Sequence, residues 1–103
     1  MPEYTPLYSW RITWPDPSDA DSHKTDFCGW DGEIWVGRIR LEAAGPKKGQ
    51  WQWSGGGPYH GLKRRLLPQQ GFVDTAREAS RMAEDYYHAL MRYNGLRGSK
   101  DEH

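Results

Sequence analysis

Residues 8–14, Tyr-Ser-Trp-Arg-Ile-Thr-Trp, alternate between apolar and polar without a break. Tyr8, Trp10, Ile12 and Trp14 fall on one side and Ser9, Arg11 and Thr13 on the other, the pattern of a half-buried β-strand. Pro15-Asp16-Pro17 ends it, because proline cannot donate to a ladder, and the polar residues 15–25 read as a loop. Phe27 to Trp30, then Asp31-Gly32, then Glu33 onward is a hairpin signal, with Asp-Gly suited to a two-residue turn that needs positive φ at both positions. The second arm runs from about Ile34 to Ala43. Its apolar set, Ile34, Val36, Ile39 and Leu41, slips phase near Gly37, as a bulge would make it do. Gly45-Pro46-Lys47-Lys48-Gly49 is a further turn, and Gln50-Trp51-Gln52-Trp53-Ser54 alternates as another strand. Gly55-Gly56-Gly57-Pro58 breaks regular structure and opens a long loop over residues 55–70.

The last element has helical spacing. Ala79, Met82, Ala83, Tyr86, Leu90 and Tyr93 form one apolar stripe. Thr75-x-x-Glu78 fits a capping box, with Asp74 as a competing cap, and Asn94-Gly95 is a stop signal. The pattern predicts a helix near 76–93 and a frayed tail over 95–103. A meander has one face to bury and the helix one stripe, so packing the helix across the sheet satisfies both. The expected architecture is α+β, an antiparallel three- to four-stranded meander with one C-terminal amphipathic helix across one face. It makes a single domain over 1–103, its ordered core at about 8–94. If Trp10, Ile39, Leu41, Trp51 and Trp53 face the helix, alternation leaves Arg11, Thr13, Arg38, Arg40, Gln50 and Gln52 on the other side.

Composition changes this picture in one respect. Leu, Ile, Val and Phe number only 14 of 103 residues, whereas Trp and Tyr number six each, so the core must be built largely from rings. The 14 basic residues equal the 14 acidic ones, yet the signs are segregated. Residues 1–33 carry seven acids against Arg11 and Lys24, and residues 34–70 carry seven bases against Glu42. Mutual attraction of the two halves accounts for this, and so does a basic footprint for an acidic partner. The single Cys28 excludes an intramolecular disulfide scaffold. No signal-peptide-like apolar run begins the chain and no 18-residue apolar run occurs, so a cytoplasmic location away from membranes is expected.

Candidate chemistry is sparse. His23, His60, His88 and His103 are scattered without metal-ligand spacing, and His23, Asp26 and Cys28 do not repair that, so no metal, cofactor or catalytic residue is expected. Cys28, between Phe27 and Gly29, reads as a small buried hydrophobe. Gly55-Gly56-Gly57 lacks the Gly-Lys-Ser/Thr ending of a phosphate loop. What stands out is binding chemistry: Arg11, Arg38, Arg40, Gln50 and Gln52 on the predicted open face, with Lys47, Lys48, Lys63, Arg64 and Arg65 in the loops beside it. Trp, Tyr and Arg concentrate binding energy at protein interfaces, which favours a non-catalytic protein-binding module such as an adaptor or inhibitor. The alternative is nucleic-acid binding, phosphates on the bases and nucleobases on the rings, against which a neutral charge balance weighs.

Val36-Gly37-Arg38-Ile39, Trp51-x-Trp53-Ser54 and Gly71-x-x-x-Thr75-x-x-Glu78-Ala79 together resemble an uncharacterised family of small bacterial or mobile-element proteins, over roughly residues 8–93. More loosely, a hairpin-rich sheet followed by Gly-Phe-x-x-Thr-x-x-Glu-Ala is similar to ethylene-response-factor and integrase arm-binding domains. That second resemblance implies a three-stranded sheet plus helix that lays Arg and Trp in a DNA major groove. This chain departs from it in its neutral charge, its acidic N-terminal loop and the insertion at 55–70.

Overall fold

The computed structural model describes residues 5–56, 64 and 66–101, the side chain of Asp19 excepted. Five strands, β1 (Ser9–Ile12), β2 (Asp26–Asp31), β3 (Ile34–Leu41), β4 (Trp51–Gly55) and β5 (Gln70–Val73), precede one helix, α1 (Ala76–Tyr93). The strands form a single antiparallel sheet in chain order, β1 and β5 at its edges. The fold is thus the expected α+β meander under one helix, with five strands rather than three or four. β5 escapes the sequence pattern because Gln70-Gly71-Phe72-Val73 is too short to alternate visibly and follows a glycine-rich stretch.

One local prediction shifts by a residue and another holds. The first hairpin closes on Gly32-Glu33, since Asp31 pairs with Ile34, and only Gly32 takes positive φ (62°). A primed turn with glycine at its first central position replaces the expected Asp-Gly turn. The bulge falls where the phase slips: Gly29 pairs with Gly37 but Trp30 with Trp35, so Val36 is the extra residue. Val36 and Gly37 consequently both face the helix, Val36 against Tyr8, Tyr87 and Met91 and Gly37 towards Ala83. The polar segment after β1, expected as loop, is a 3-10 helix over Pro17–Lys24. Asp16 caps it by accepting from the Ser18 N–H at 2.9 Å.

The helix has the predicted bounds. Thr75 is its cap, the hydroxyl accepting from the Glu78 N–H at 3.1 Å, while Asp74 is taken up by the Gln50 side chain at 3.2 Å. Gly95 (φ 74°) ends it in a Schellman motif, with Gly95 N–H on the Arg92 carbonyl and Leu96 N–H on that of Met91. The buried face is wider than the stripe suggests and rotated from it. Met82 and Tyr93 are exposed, whereas Ser80, Glu84, Tyr87, His88 and Met91 are buried with Ala79, Ala83, Tyr86 and Leu90. One cluster joins Ile39, Trp53, Ala79, Ala83, Tyr86 and Leu90, with Trp10, Phe27 and Trp51 packed against it. A second, on the β1 side, joins Tyr8, Val36, Tyr87 and Met91.

Both ends of the described chain are fastened to this second cluster. Glu84, 2% exposed, accepts from the backbone N–H of Leu7 and Tyr8 at 3.1 Å and from Trp10 Nε1 at 2.9 Å. The residues after α1, expected to fray, are tied down as far as Asp101. Arg92 forks onto the Asp101 carboxylate at 2.5 and 2.6 Å, Lys100 N–H donates to Tyr8 Oη at 3.1 Å, and Ser99 bonds Asp31. Removing the Glu84 carboxylate leaves three donors without their acceptor, the Tyr8 N–H buried and the other two part-buried. Glu84→Ala is therefore expected to cost about 2–4 kcal/mol. Glu78→Ala, which removes only a partner of the cap, should cost under about 1 kcal/mol. Thermal melts of the two variants beside the parent check the ranking, and equal midpoints would contradict it.

Candidate functional site

Direct cross-strand partners lie on the same side of a sheet. With Ile39, Trp53 and Trp10 under α1, the opposite face carries Ser9 and Arg11 from β1, Asp26, Cys28 and Trp30 from β2, and Trp35, Arg38 and Arg40 from β3. Ser54, Gln52, Gln70 and Phe72 complete it from β4 and β5. Among the described residues no further strand or α-helix covers this face, though Asp26 and Cys28 are buried within it. Arg11, Arg38, Arg40 and Gln52 thus share one surface as alternation predicted, and Gln50 stands at its rim.

The arginines on that surface are not equivalent. Arg38 is clamped: Nε donates to Asp26 Oδ1 at 2.8 Å and Nη2 to Oδ2 at 2.5 Å, and its guanidinium lies 5.8 Å from the centre of the Trp14 ring. Asp26 is 7% exposed and also accepts from the Thr13 hydroxyl at 2.7 Å. Burial alone would raise its pKa, but the hydrogen bonds from Arg38, Thr13 and Trp14 and the Arg38 charge outweigh that and hold it below the usual carboxylate range. Arg40 is looser, donating to Gln52 Oε1 at 3.0 Å with Glu42 at 3.9 Å, and Gln52 extends the row to Gln70 at 3.4 Å. Arg11 donates through Nε to Ser9 Oγ at 3.3 Å and rests 6.0 Å from the Trp30 ring centre. No carboxylate among the described residues forms an ion pair with it.

The loop bases divide. Lys47 sits 5.7 Å over the Phe72 ring, so it joins the open face, and Lys48 is exposed in the same turn. Arg64 does not join it. Its backbone bonds the Asn94 side chain at 2.7 and 3.0 Å and its guanidinium lies over Tyr93, at the C-terminal end of α1. Lys63 and Arg65 lie outside the described residues.

Sequence reasoning missed the rings of this face. Alternation assigns Trp14 to the helix side, but β1 ends at Ile12 and the ring turns to the other side, where Arg38 meets it, half exposed at 51%. Trp30 and Trp35 pair directly across β2 and β3 on the open face. Placing Trp35 there needs the bulge at Val36 located to the residue. Cys28 is buried, as expected for a small hydrophobe, with Thr13 Oγ1 at 3.5 Å.

A second polar grouping lies under the sheet. Tyr8 Oη is 2.6 Å from His88 Nε2, and Tyr87 donates to Asp31 Oδ2 at 2.7 Å. Burial pushes the Tyr8 phenol upward despite the Lys100 N–H, with the Asp31, Glu84 and Asp101 charges adding to the rise. Asp31 goes down: burial opposes the change, but Ser99, Tyr87 and the nearby His88 prevail. These groups are occupied in holding the chain ends. Among the described residues no set of three His, Cys, Asp or Glu side chains could hold a metal ion, and no helix is long and apolar enough to cross a membrane.

The chain matches no protein-family model, no curated protein and no solved structure. Nothing in these comparisons bears on the two resemblances, so the face has to be read from its own chemistry.

Removing Arg38 leaves a buried anion, so Arg38→Ala should cost about 1–3 kcal/mol, below the value for a fully buried pair because Arg38 keeps some solvent. Arg40→Ala should stay within about 0.5 kcal/mol. The folded-state pKa of Asp26 lies below the unfolded one, so its stabilisation is complete above about pH 4 and is lost as pH falls through the folded value. Urea midpoints between about pH 2 and 7 should decline less steeply on acidification in Asp26→Asn than in the parent.

Proposed function

We propose that the open sheet face is the binding surface of a non-catalytic, cytoplasmic protein-binding module, an adaptor or an inhibitor, and that its partner is another protein. The observation that carries this reading is the placement of Trp14, Trp30, Trp35 and Phe72 on the side of the sheet that α1 leaves bare, interleaved with Arg11, Arg38, Arg40 and Lys47. A chain with 14 Leu, Ile, Val and Phe residues has few rings to spare, yet on this face Trp14 and Phe72 are exposed at 51% and 38% and Trp30 and Trp35 are half-buried. Trp and Arg are the residues in which interface energy concentrates, and stacking a guanidinium on an indole fixes both before a partner arrives.

The nucleic-acid alternative draws support from the same rings and loses it on charge. Phosphate binding needs cations free to neutralise it. Here Arg38 is neutralised by Asp26, Arg40 has Glu42 nearby, and Arg64 stands at the far end of the helix. Of the candidate bases among the described residues, Lys47 and Lys48 remain, with Arg11.

Photo-crosslinking residues introduced singly at Gln52, on the open face, and at Arg81, on the outer side of α1, test the assignment in source cells. Capture of a protein at position 52 but not at position 81 is expected, and Trp30→Ala should then weaken that complex at least about tenfold. Capture at position 81 alone, or of nucleic acid at position 52, would contradict the proposal.

A further inference from the structure

We infer that the outer edge of β1 takes up an extended segment of the partner, one that sets a carboxylate side chain across from Arg11 between apolar residues. The inference rests on the protein-binding reading above and specifies what the partner presents.

β1 ends the sheet, and no described strand lies beyond it. Its phase is fixed by Thr13, whose N–H donates to the Asp26 carbonyl at 3.1 Å. In an antiparallel ladder the hydrogen-bonding residues alternate, so Arg11 and Ser9 also turn their backbone groups to β2. The N–H and C=O of Trp10 and Ile12 therefore point outward. Tyr8 points outward too, but its N–H is taken by Glu84 at 3.1 Å. The usable edge starts at Trp10 and stops before Pro15, a short template for β-augmentation.

The side chains say what a strand placed there must carry. A residue opposite Arg11 would lie on the open face, its Cβ roughly 5 Å away. Arg11 is the open-face arginine with no carboxylate partner among the described residues, and Ser9 and Trp30 already hold its guanidinium in place. Its natural complement is one Asp or Glu. On the helix side, Ile12 is exposed at 36% and Trp10 is half-buried, and both call for apolar neighbours. A polyanion fits less well, because the 3-10 helix beside β1 brings Asp16 and Asp21 to the same end of the sheet. One carboxylate amid apolar residues describes a protein segment rather than a nucleic acid. β5, at the other edge, carries no arginine or lysine to specify a carboxylate: Phe72 is matched by Lys47 and Gln70 by Gln52.

The probe is a fluorescein-labelled, end-blocked peptide of alternating Thr and Val with a single central Glu, compared with the same peptide bearing a central Lys. Anisotropy titrations of the parent should favour the Glu peptide by roughly tenfold, and Arg11→Glu should reverse that preference. Amide hydrogen exchange should slow at Trp10 and Ile12 when the Glu peptide binds. Equal affinity for both peptides, or protection elsewhere, overturns the inference. So does protection of Trp10 and Ile12 that rises with protein concentration alone, which would make a second copy the occupant. If neither peptide binds while position 52 still captures a protein, the edge inference fails and the face assignment stands. If position 52 captures nothing and the Glu peptide binds as expected, the edge survives without the face.

Discussion

Gly29, Gly37 and Gly55 are direct cross-strand neighbours in β2, β3 and β4, so they form a lane without side chains across the covered face of the sheet. Everything above that lane depends on it. The Trp10 ring lies over Gly29, where a Cβ would come within 2.8 Å of it. Ala83 sits over Gly37, where a Cβ would also meet the Ser54 carbonyl oxygen at 2.5 Å, and the Tyr86 ring occupies the space a Cβ on Gly55 would need. A chain short of aliphatic residues has to bury rings, and rings need depth. The glycines supply it by removing the layer of side chains that would hold α1 away, so that dense packing is reached with few residues.

The depth of the covered face decides what is left for the other. Trp10, Trp51 and Trp53 are drawn into the core with Tyr86, and Glu84 is buried beside Trp10 as the acceptor that fixes the start of β1. Trp14, Trp30 and Trp35 are on the wrong side to join them. They lie among arginines whose charges are partly spent within the face, Arg38 on Asp26 above all. The segregated charges of the sequence are thus in part an internal pairing of the acidic start with the basic middle, through Asp26 and Arg38, while Arg11 and Lys47 stand on the face without a carboxylate ion pair among the described residues. That balance is the ground on which a protein partner is proposed ahead of a phosphate backbone.

Much of this was legible beforehand, and the reasons for the exceptions are physical. Helix 76–93 announced itself because its cap, stripe and stop are local. The open-face positions of Arg11, Arg38, Arg40 and Gln52 followed from period-two alternation, which needs only correct strand assignments. Trp35 and Trp14 were beyond that method: one depends on which residue forms the bulge, the other on how the chain turns after β1. Glu84 was invisible for another reason. A glutamate within a helix reads as solvated until the strand that fills its acceptor sites is placed, and that contact spans 76 residues of sequence. The glycine lane has the same character, since nothing short of the strand register aligns Gly29 with Gly37 and Gly55.

A double-mutant cycle at Gly55 and Tyr86 tests most directly whether the lane exists to admit rings. Gly55→Ala in the parent should cost about 1–3 kcal/mol, the usual range for overpacking. In a Tyr86→Leu background, where the ring that meets the new Cβ is gone, most of that cost should disappear, leaving a coupling of roughly 1 kcal/mol or more in urea unfolding. Additive losses at the two positions would show that the glycine is not there to make room for the ring, and the explanation of the covered face would fail.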